Sequence, residues 1–311
     1  MPPLTAWAVT TGEAGMRTQA RGLAAAVADA VTEKAVRATS LWPWRDTSAK
    51  DSFAPPYPDI VVSCGRRAAA RAIAVKRGSG GRTVIVHVQD PRASRGAFDL
   101  IVAMAHDRIP AAANVVKVGT ALHDLSPDAL AAAGRDWAER FAPLPRPLTG
   151  VVVGGDVRGR RFGPADASRL IAALKRLRAA GGLAITPSRR TPKAALAALT
   201  SAFADGPGVF LWDRTGANPY RAILALSDRL VVTGDSVSMI SEAVFTPLPV
   251  EVFDLGIPRY RGFIAGLIAS GRVRRFAGDP ASPPAGASIN ATDAAADAVR
   301  ALLQARTGVS G

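Results

Sequence analysis

Ala142-Pro143-Leu144-Pro145-Arg146-Pro147-Leu148-Thr149-Gly150-Val151-Val152-Val153-Gly154-Gly155 is the stretch on which the reading of the fold turns. Three prolines in six residues can neither continue a helix nor supply a central strand, because proline has no N–H to donate and a fixed φ. Residues 143–149 therefore read as a linker. Gly150–Val153 then reads as a strand that runs straight into two glycines, where a ligand can approach the backbone closely. A strand followed by a glycine turn is how a nucleotide-binding α/β domain starts, so a second domain is expected to start here.

Working back from this stretch, short β-branched runs alternate with Ala/Leu/Arg stretches of helical length, which is the pattern of βαβ units. Strands are predicted at Ala6–Thr10, Val36–Leu41, Asp59–Ser63, Thr83–Val88, Asp99–Met104 and Asn114–Val118. Helices are predicted from Met16 to Ala30, Arg66 to Lys76 and Pro127 to Phe141. Working forward, strands are predicted at Leu183–Thr186, Val209–Trp212, Arg229–Thr233 and Pro249–Phe253. Pro164–Ala180 is an amphipathic helix, with Leu170, Ile171, Leu174 and Leu177 at three- and four-residue spacings. Ala291–Arg306 ends the pattern as a terminal helix. The expected fold is α/β, with two Rossmann-like halves at residues 1–142 and 150–311 and a last helix able to cross back to the first half.

The 311 residues support two cores of this size. The net charge of +14 comes from 33 Arg and only 6 Lys against 25 acidic residues. It is spread evenly: residues 1–150 carry 19 basic and 13 acidic groups, and residues 151–311 carry 20 and 12. With no basic tail and 6% aromatic residues, nucleic acid is not the expected partner. The arginine and alanine enrichment also fits the composition bias of a GC-rich genome. The single cysteine, Cys64, excludes an internal disulfide framework and a Cys-based zinc site, and it reads as a core residue rather than a nucleophile. The N-terminus lacks a charged n-region and an apolar h-region, and no run approaches 18 apolar residues. These features point to the cytoplasm. Arg259-Tyr260-Arg261 and Arg272-Val273-Arg274-Arg275 suggest a peripheral place on anionic lipid of the inner membrane.

Ligands of open α/β sheets bind beyond the carboxyl ends of the strands, so residues just after each strand carry the functional reading. Thr10-Thr11-Gly12-Glu13-Ala14-Gly15 and Cys64-Gly65-Arg66 each follow a strand and open a helix. Gly12, Gly15, Gly65 and Arg66 are candidates for holding an anion there. Glu13 is either a general base or a helix cap. Asp90, after His87-Val88-Gln89, and His106, beside Asp107, are the other candidate bases, although each His taken alone reads first as structural. A metal site is not expected, since no ligand cluster accompanies His106-Asp107.

In the second half, Gly154 and Gly155 can admit a phosphate, and Ser188, Arg189 and Arg190 before Thr191-Pro192 suit a pyrophosphate. Asp235, Ser236 and Ser238 stand where Thr233-Gly234 enters a helix whose amides can face phosphates, and Glu242 can accept both hydroxyls of a ribose. The plainer readings are Asp235 as a helix cap, Glu242 on a solvated face and Asn218 as the cap of the helix begun by Asn218-Pro219-Tyr220.

Taken together, Gly12-Glu13-Ala14-Gly15 with Gln19 and Gly22, Cys64-Gly65-Arg66-Arg67, Gln89-Asp90-Pro91, His106-Asp107, Gly154-Gly155, Ser188-Arg189-Arg190-Thr191-Pro192, Asn218-Pro219-Tyr220 and Thr233-Gly234-Asp235-Ser236-Val237-Ser238-Met239-Ile240-Ser241-Glu242-Ala243 resemble the mitochondrial-fission, elongated-mitochondria family, in particular its bacterial members. The resemblance covers nearly the whole chain. The family in turn resembles the GT-B glycosyltransferase superfamily, which implies two Rossmann-like domains facing across a cleft and a nucleotide sugar on the C-terminal one. On that basis the expected partner is a nucleoside-diphosphate sugar used as substrate, with no cofactor and no metal, together with a sugar or lipid-linked acceptor of the cell envelope. Members often carry His where this chain has Met16, which moves any catalytic role of that residue to Glu13, Asp90 or His106. The epimerase label used for bacterial members fits poorly, because the chain has neither a glycine fingerprint for NAD nor a Tyr-x-x-x-Lys pair. The rival expectation is a non-catalytic binding or scaffold protein on the same fold.

Overall fold

Short runs of Val, Ile and Ala buried on both faces are what a parallel sheet sandwiched between helices requires, and the chain builds two such sheets. The structure, a computed structural model, describes residues 3–36, 53–105, 107–204, 206–281 and 283–308. It divides into two compact units: residues 1–124 with 290–311, and residues 125–289.

In the first unit, β1 (Thr5–Thr10), α1 (Ala14–Val27), β2 (Ala30–Ala35), β3 (Ile60–Cys64), α2 (Arg66–Gly78), β4 (Val84–Val88), β5 (Leu100–Met104) and β6 (Val115–Val118) follow in order. The strands pair in parallel as β2-β1-β3-β4-β5-β6. Strand alternation divides the core. Ile60, Val62 and Cys64 of β3 pack in one layer with Leu23 and Ala24 of α1, while Val61 packs in the other with Ala68 and Ala72 of α2. The strand order reverses between β1 and β3, whose last residues, Thr10 and Cys64, are register partners.

The second unit contains α3 (Pro127–Phe141), β7 (Leu148–Val153), α4 (Pro164–Arg178), β8 (Gly182–Pro187), α5 (Lys193–Phe203), β9 (Val209–Leu211), α6 (Tyr220–Leu226), β10 (Arg229–Thr233), α7 (Val237–Phe245), β11 (Val250–Phe253), α8 (Arg261–Ala269) and β12 (Arg274–Arg275). Its order, β12-β11-β10-β7-β8-β9, is that of a doubly wound dinucleotide-binding sheet, and it reverses between β7 and β10. Leu170, Leu174 and Leu177 of α4 are buried as their spacing requires.

Two expectations are corrected. The second strand is β2 at Ala30–Ala35 rather than Val36–Leu41, because α1 ends at Val27 and the chain turns back at once; residues 37–41 lie outside the described residues. The proline stretch is not a boundary between units. Gly182 N–H donates to the carbonyls of Pro145 and Pro147, and Phe141 is buried beside Leu148, Ile223 and Leu224, so α3 and the prolines belong to the second unit. The division instead falls at Asp124, and the terminal helix α9 (Ala291–Gly308) packs in the first unit, with Ala295, Ala296 and Val299 fully buried.

Candidate functional site

At the point where the second sheet reverses, the loops after β7, β8 and β10 are tied into one polar cluster around Asp235, which is fully buried. Its Oδ1 accepts from Thr233 Oγ1 at 2.6 Å, and its Oδ2 accepts from Gly155 N–H at 2.9 Å and from Arg190 Nη2 at 2.9 Å. Thr233 Oγ1 also accepts the Gly154 N–H at 2.7 Å. Arg190 reaches the Asp156 carbonyl at 3.2 Å, and its own carbonyl accepts from Asp156 N–H at 3.2 Å. Thr191 Oγ1 donates to the carbonyls of Val153 and Gly154 and accepts the Ser188 N–H at 3.0 Å.

The two glycines are needed here for a steric reason. A Cβ on Gly154 would lie 2.1 Å from both carboxylate oxygens of Asp235, and one on Gly155 would lie 2.0 Å from the Arg190 carbonyl oxygen. The expectation that the glycine amides face a bound phosphate is therefore corrected. Both amides are spent on the chain's own Thr233 and Asp235, so the close approach these glycines permit is made by the protein itself.

Ser236 rather than Asp235 caps α7, its Oγ accepting the Met239 N–H at 3.3 Å. Ser236 and Ser238 are half-buried in and beside the first turn, and Glu242 is half-buried further along the same helix. Arg189 is exposed, and no hydrogen bond or ion pair engages it among the described residues. Asn218 Oδ1 accepts the Tyr220 N–H at 3.0 Å at the start of α6, which accounts for that residue without a ligand. Two members of this cluster were not singled out from the sequence. Thr233 is fully buried and bridges Gly154 to Asp235. Arg214 has a left-handed backbone (φ 74°) and sends Nη2 to the Thr191 carbonyl at 2.7 Å. Its position, in a Trp-Asp-Arg-Thr-Gly turn after β9, was the available signal.

In the first unit the reversal point between β1 and β3 brings Gly12, Glu13 and Gly65 together. Thr11 Oγ1 donates to Glu13 and lies 3.6 Å from Met16 Sδ, while a Cβ on Gly65 would lie 3.0 Å from that sulfur. Gly12 and Gly65 both have positive φ, 97° and 98°, as these turns demand. Glu13 is exposed at the N-cap position of α1 and makes no capping bond. Gly15 gives its carbonyl to Gln19 Nε2 at 3.0 Å inside α1, and Arg66 is exposed at the start of α2.

Asp90 is held in an ion pair, which weakens it as a base. Arg95 grips it with Nε at 2.9 Å and Nη2 at 2.8 Å, and the Arg92 N–H donates to it at 2.8 Å. The Arg95 hydrogen bond holds the carboxyl below the usual carboxylate range. Gln89, Arg92 and Ser94 of this loop all have positive φ, the kind of local strain that accumulates at functional loops. Beside it, the fully buried Thr120 Oγ1 has no hydrogen-bond partner and lines a small notch with Gln19, Gln89 and Met104. His106 lies outside the described residues. Cys64 is fully buried, and burial pushes its thiol up to about 12, which leaves it protonated and inert. Among the described residues no group of three or more His, Cys, Asp or Glu is placed to share a metal ion. None of the described helices is long and apolar enough to cross a membrane.

Comparison with known proteins places this geometry in a lineage. The sequence profile of the family described as mitochondrial fission ELM1 matches residues 14–303. The mitochondrial fission protein ELM1 of Arabidopsis thaliana is 31% identical over 285 residues, which cover 83% of this chain and 67% of that protein. Among solved structures, a putative UDP-N-acetylglucosamine 2-epimerase from Listeria monocytogenes superposes with a TM-score of 0.59 at 12% identity, covering 97% of this chain and 88% of the other. MurG of Acinetobacter baumannii gives 0.56 at 14% identity, covering 96% and 99%. These similarities, at such low identity, concern the fold, which is GT-B-like: two Rossmann-like α/β units in one chain. On a profile match spanning nearly its whole length and a relative at 31% identity, this chain belongs to the mitochondrial fission ELM1 family.

Proposed function

We propose that the second unit binds a nucleoside-diphosphate sugar and that the chain is a glycosyltransferase-like protein of GT-B type. The observation that carries this reading is the polar cluster at the β7–β10 reversal, which joins Gly154, Gly155, Ser188, Arg190 and Asp235, with Arg189 and Ser236 next to it in the chain, at the point of a doubly wound sheet where such folds bind nucleotides. The reading is supported by the Listeria protein of similar fold, whose name gives it a UDP-sugar substrate. In this reading Glu242 holds the ribose, and Ser236 and Ser238 lie beside the phosphates. The basic loop after β8 stabilises the diphosphate as it leaves. A sugar or lipid-linked acceptor is held by the first unit around Gly12, Gly15, Gly65 and Arg66. Glu13 or His106 takes the proton of its hydroxyl.

Isothermal titration with a panel of nucleoside diphosphates tests the donor site. At least one is expected to bind, and Glu242→Ala is expected to weaken it about tenfold or more, the loss of a charge-assisted pair of hydrogen bonds. Folded protein that binds none of them overturns the proposal.

A second reading is a non-catalytic binding protein on the same fold. It is favoured by the state of one candidate base of the first unit, Asp90, which is locked to Arg95, and of the nearby His87, which is buried and hydrogen-bonded to Ser63 at 2.8 Å. It predicts nucleotide binding without turnover of the bound nucleotide sugar.

A further inference from the structure

In a doubly wound sheet of this order, the seat for an anion is the crevice beyond the first strand, where loop amides and a helix N-terminus converge. Here that seat has an occupant. The Gly155 amide, the Thr233 hydroxyl and the Arg190 guanidinium all donate to a single carboxylate, that of Asp235, and the Gly154 amide donates to that same hydroxyl. This is the donor set an oxyanion of a phosphate would require. The carboxylate is fully buried, and both of its oxygens are engaged. A single carbon added at Gly154 would lie within 2.1 Å of both oxygens, so nothing else fits there. A phosphate brought against it would also meet a like charge shielded from water, which is strongly unfavourable.

The two adjacent arginines are divided by this arrangement. Arg190 spends Nη2 on Asp235, Nη1 on the Asp156 carbonyl and its backbone N–H on Ser188 Oγ, so its charge is neutralised within the scaffold. Arg189, next to it on the same loop, is exposed and unengaged among the described residues. We propose that Asp235 permanently fills the anion seat of the β7–β10 crevice, so that Arg189, and not Arg190, is the arginine that meets the diphosphate of a bound nucleotide. Asp235 and Arg190 are then positioning residues that hold the loops after β7, β8 and β10 in register before any ligand arrives.

The second half of this proposal rests on the nucleotide reading above, and the first half does not. The experiment keeps them apart. Thermal melting of the full chain is measured for Arg189→Ala, Arg190→Ala and Asp235→Ala, with and without sodium formate at constant ionic strength. Titration with uridine and adenosine diphosphates follows on the folded variants. Arg190→Ala is expected to melt several degrees below wild type and Arg189→Ala to melt with it. Formate is expected to raise the melting temperature of Asp235→Ala and not that of wild type, because it refills the vacated seat. Arg189→Ala is expected to weaken the nucleotide about tenfold, as for loss of one charge-assisted contact. Equal melting of Arg190→Ala and wild type overturns the filled seat, whether or not Asp235→Ala folds. An equal response of Asp235→Ala and wild type to formate does the same. Unchanged nucleotide affinity in Arg189→Ala, with a loss in folded Arg190→Ala, overturns the assignment of the ligand arginine. If wild type binds neither nucleotide, the donor reading and the Arg189 assignment fail together, and the melting data decide the filled seat alone.

Discussion

His87 shows how burial changes what a residue can do. As a histidine near a strand end it is a natural candidate base, yet it is 1% exposed, packed on Phe98 with ring centroids 5.1 Å apart and bonded to Ser63. Burial lowers its pKa to about 4, against the opposing pull of Asp90. The folded state therefore keeps it neutral where the unfolded chain, with an ordinary value near 6.5, takes up a proton. Stability is fully present above about pH 6.5 and is lost as the pH falls towards 4, by about 3 kcal/mol at most. The expected outcome is a first unit whose denaturation midpoint drops between about pH 7 and pH 5, with a shallower drop in His87→Asn. An identical slope in the variant would show that other groups carry the acid sensitivity. Gly22 makes a related point. A Cβ there would lie 2.2 Å from the His123 carbonyl oxygen, so this glycine of the family pattern is required by the close packing of α1 on the chain around His123. The glycine was legible in the sequence; the backbone it faces, about 100 residues away, was not.

At the scale of elements, the charge acquires a location. The segments that suggested a lipid-facing surface are partly internal. Arg272 is buried and donates to the carbonyls of Leu248, Val244 and Thr246, and Arg275 is paired with Asp254. The more favourable element is α2, which carries Arg66, Arg67, Arg71, Lys76 and Arg77 and no acidic residue. Of these, Lys76 is committed to Asp99 at 2.7 Å, while Arg66, Arg67 and Arg77 are exposed. Two arginines in the first turn of a helix oppose its dipole, a placement that an anionic surface would relieve. If the chain sits peripherally on a membrane, α2 is the face expected to meet it. Co-sedimentation with phosphatidylglycerol vesicles should then exceed that with phosphatidylcholine, fall with added salt, and weaken by about 1 kcal/mol for each of Arg67→Ala and Arg77→Ala. No preference for the anionic vesicles removes the lipid reading. The elements themselves were largely legible, because β-branched runs and three- and four-residue apolar spacings report local periodicity. Strand β2 was missed because only one of its six residues, Val31, combines β-branching with an apolar side chain, and its burial is shallow.

At the scale of the whole molecule, the two units are not consecutive halves of the chain. The first is completed by α9, whose Arg300 donates to the Ala26 carbonyl at 2.6 Å, whose Arg306 reaches Asp99 at 2.7 Å, and whose Thr292 bonds the backbone of His123 in both directions. Removing residues 290–311 would take away Ala295, Ala296 and Val299 and uncover the layer that holds Leu23 and Ala24. The expected outcome is selective: amide hydrogen exchange protection is lost across β1 to β6 and retained across β7 to β11. Uniform loss, or no loss, would contradict the division at Asp124 and Asn290.

What the sequence by itself determined was local and repetitive: the α/β class, the positions of most strands and helices, and the set of loops that follow the strands. Each of these depends on neighbours within a few residues, through hydrogen-bond periodicity and the burial of one face. Tertiary structure alone decided the rest. It assigned α3 and the prolines to the second unit because Phe141 finds its apolar partners there, and it returned α9 to the first. It turned Gly154-Gly155 from an open phosphate cradle into the socket of Asp235, and it separated Arg190 from Arg189. Which group meets a buried carboxylate depends on charges and donors brought together from about 80 residues apart, and no local pattern encodes that meeting.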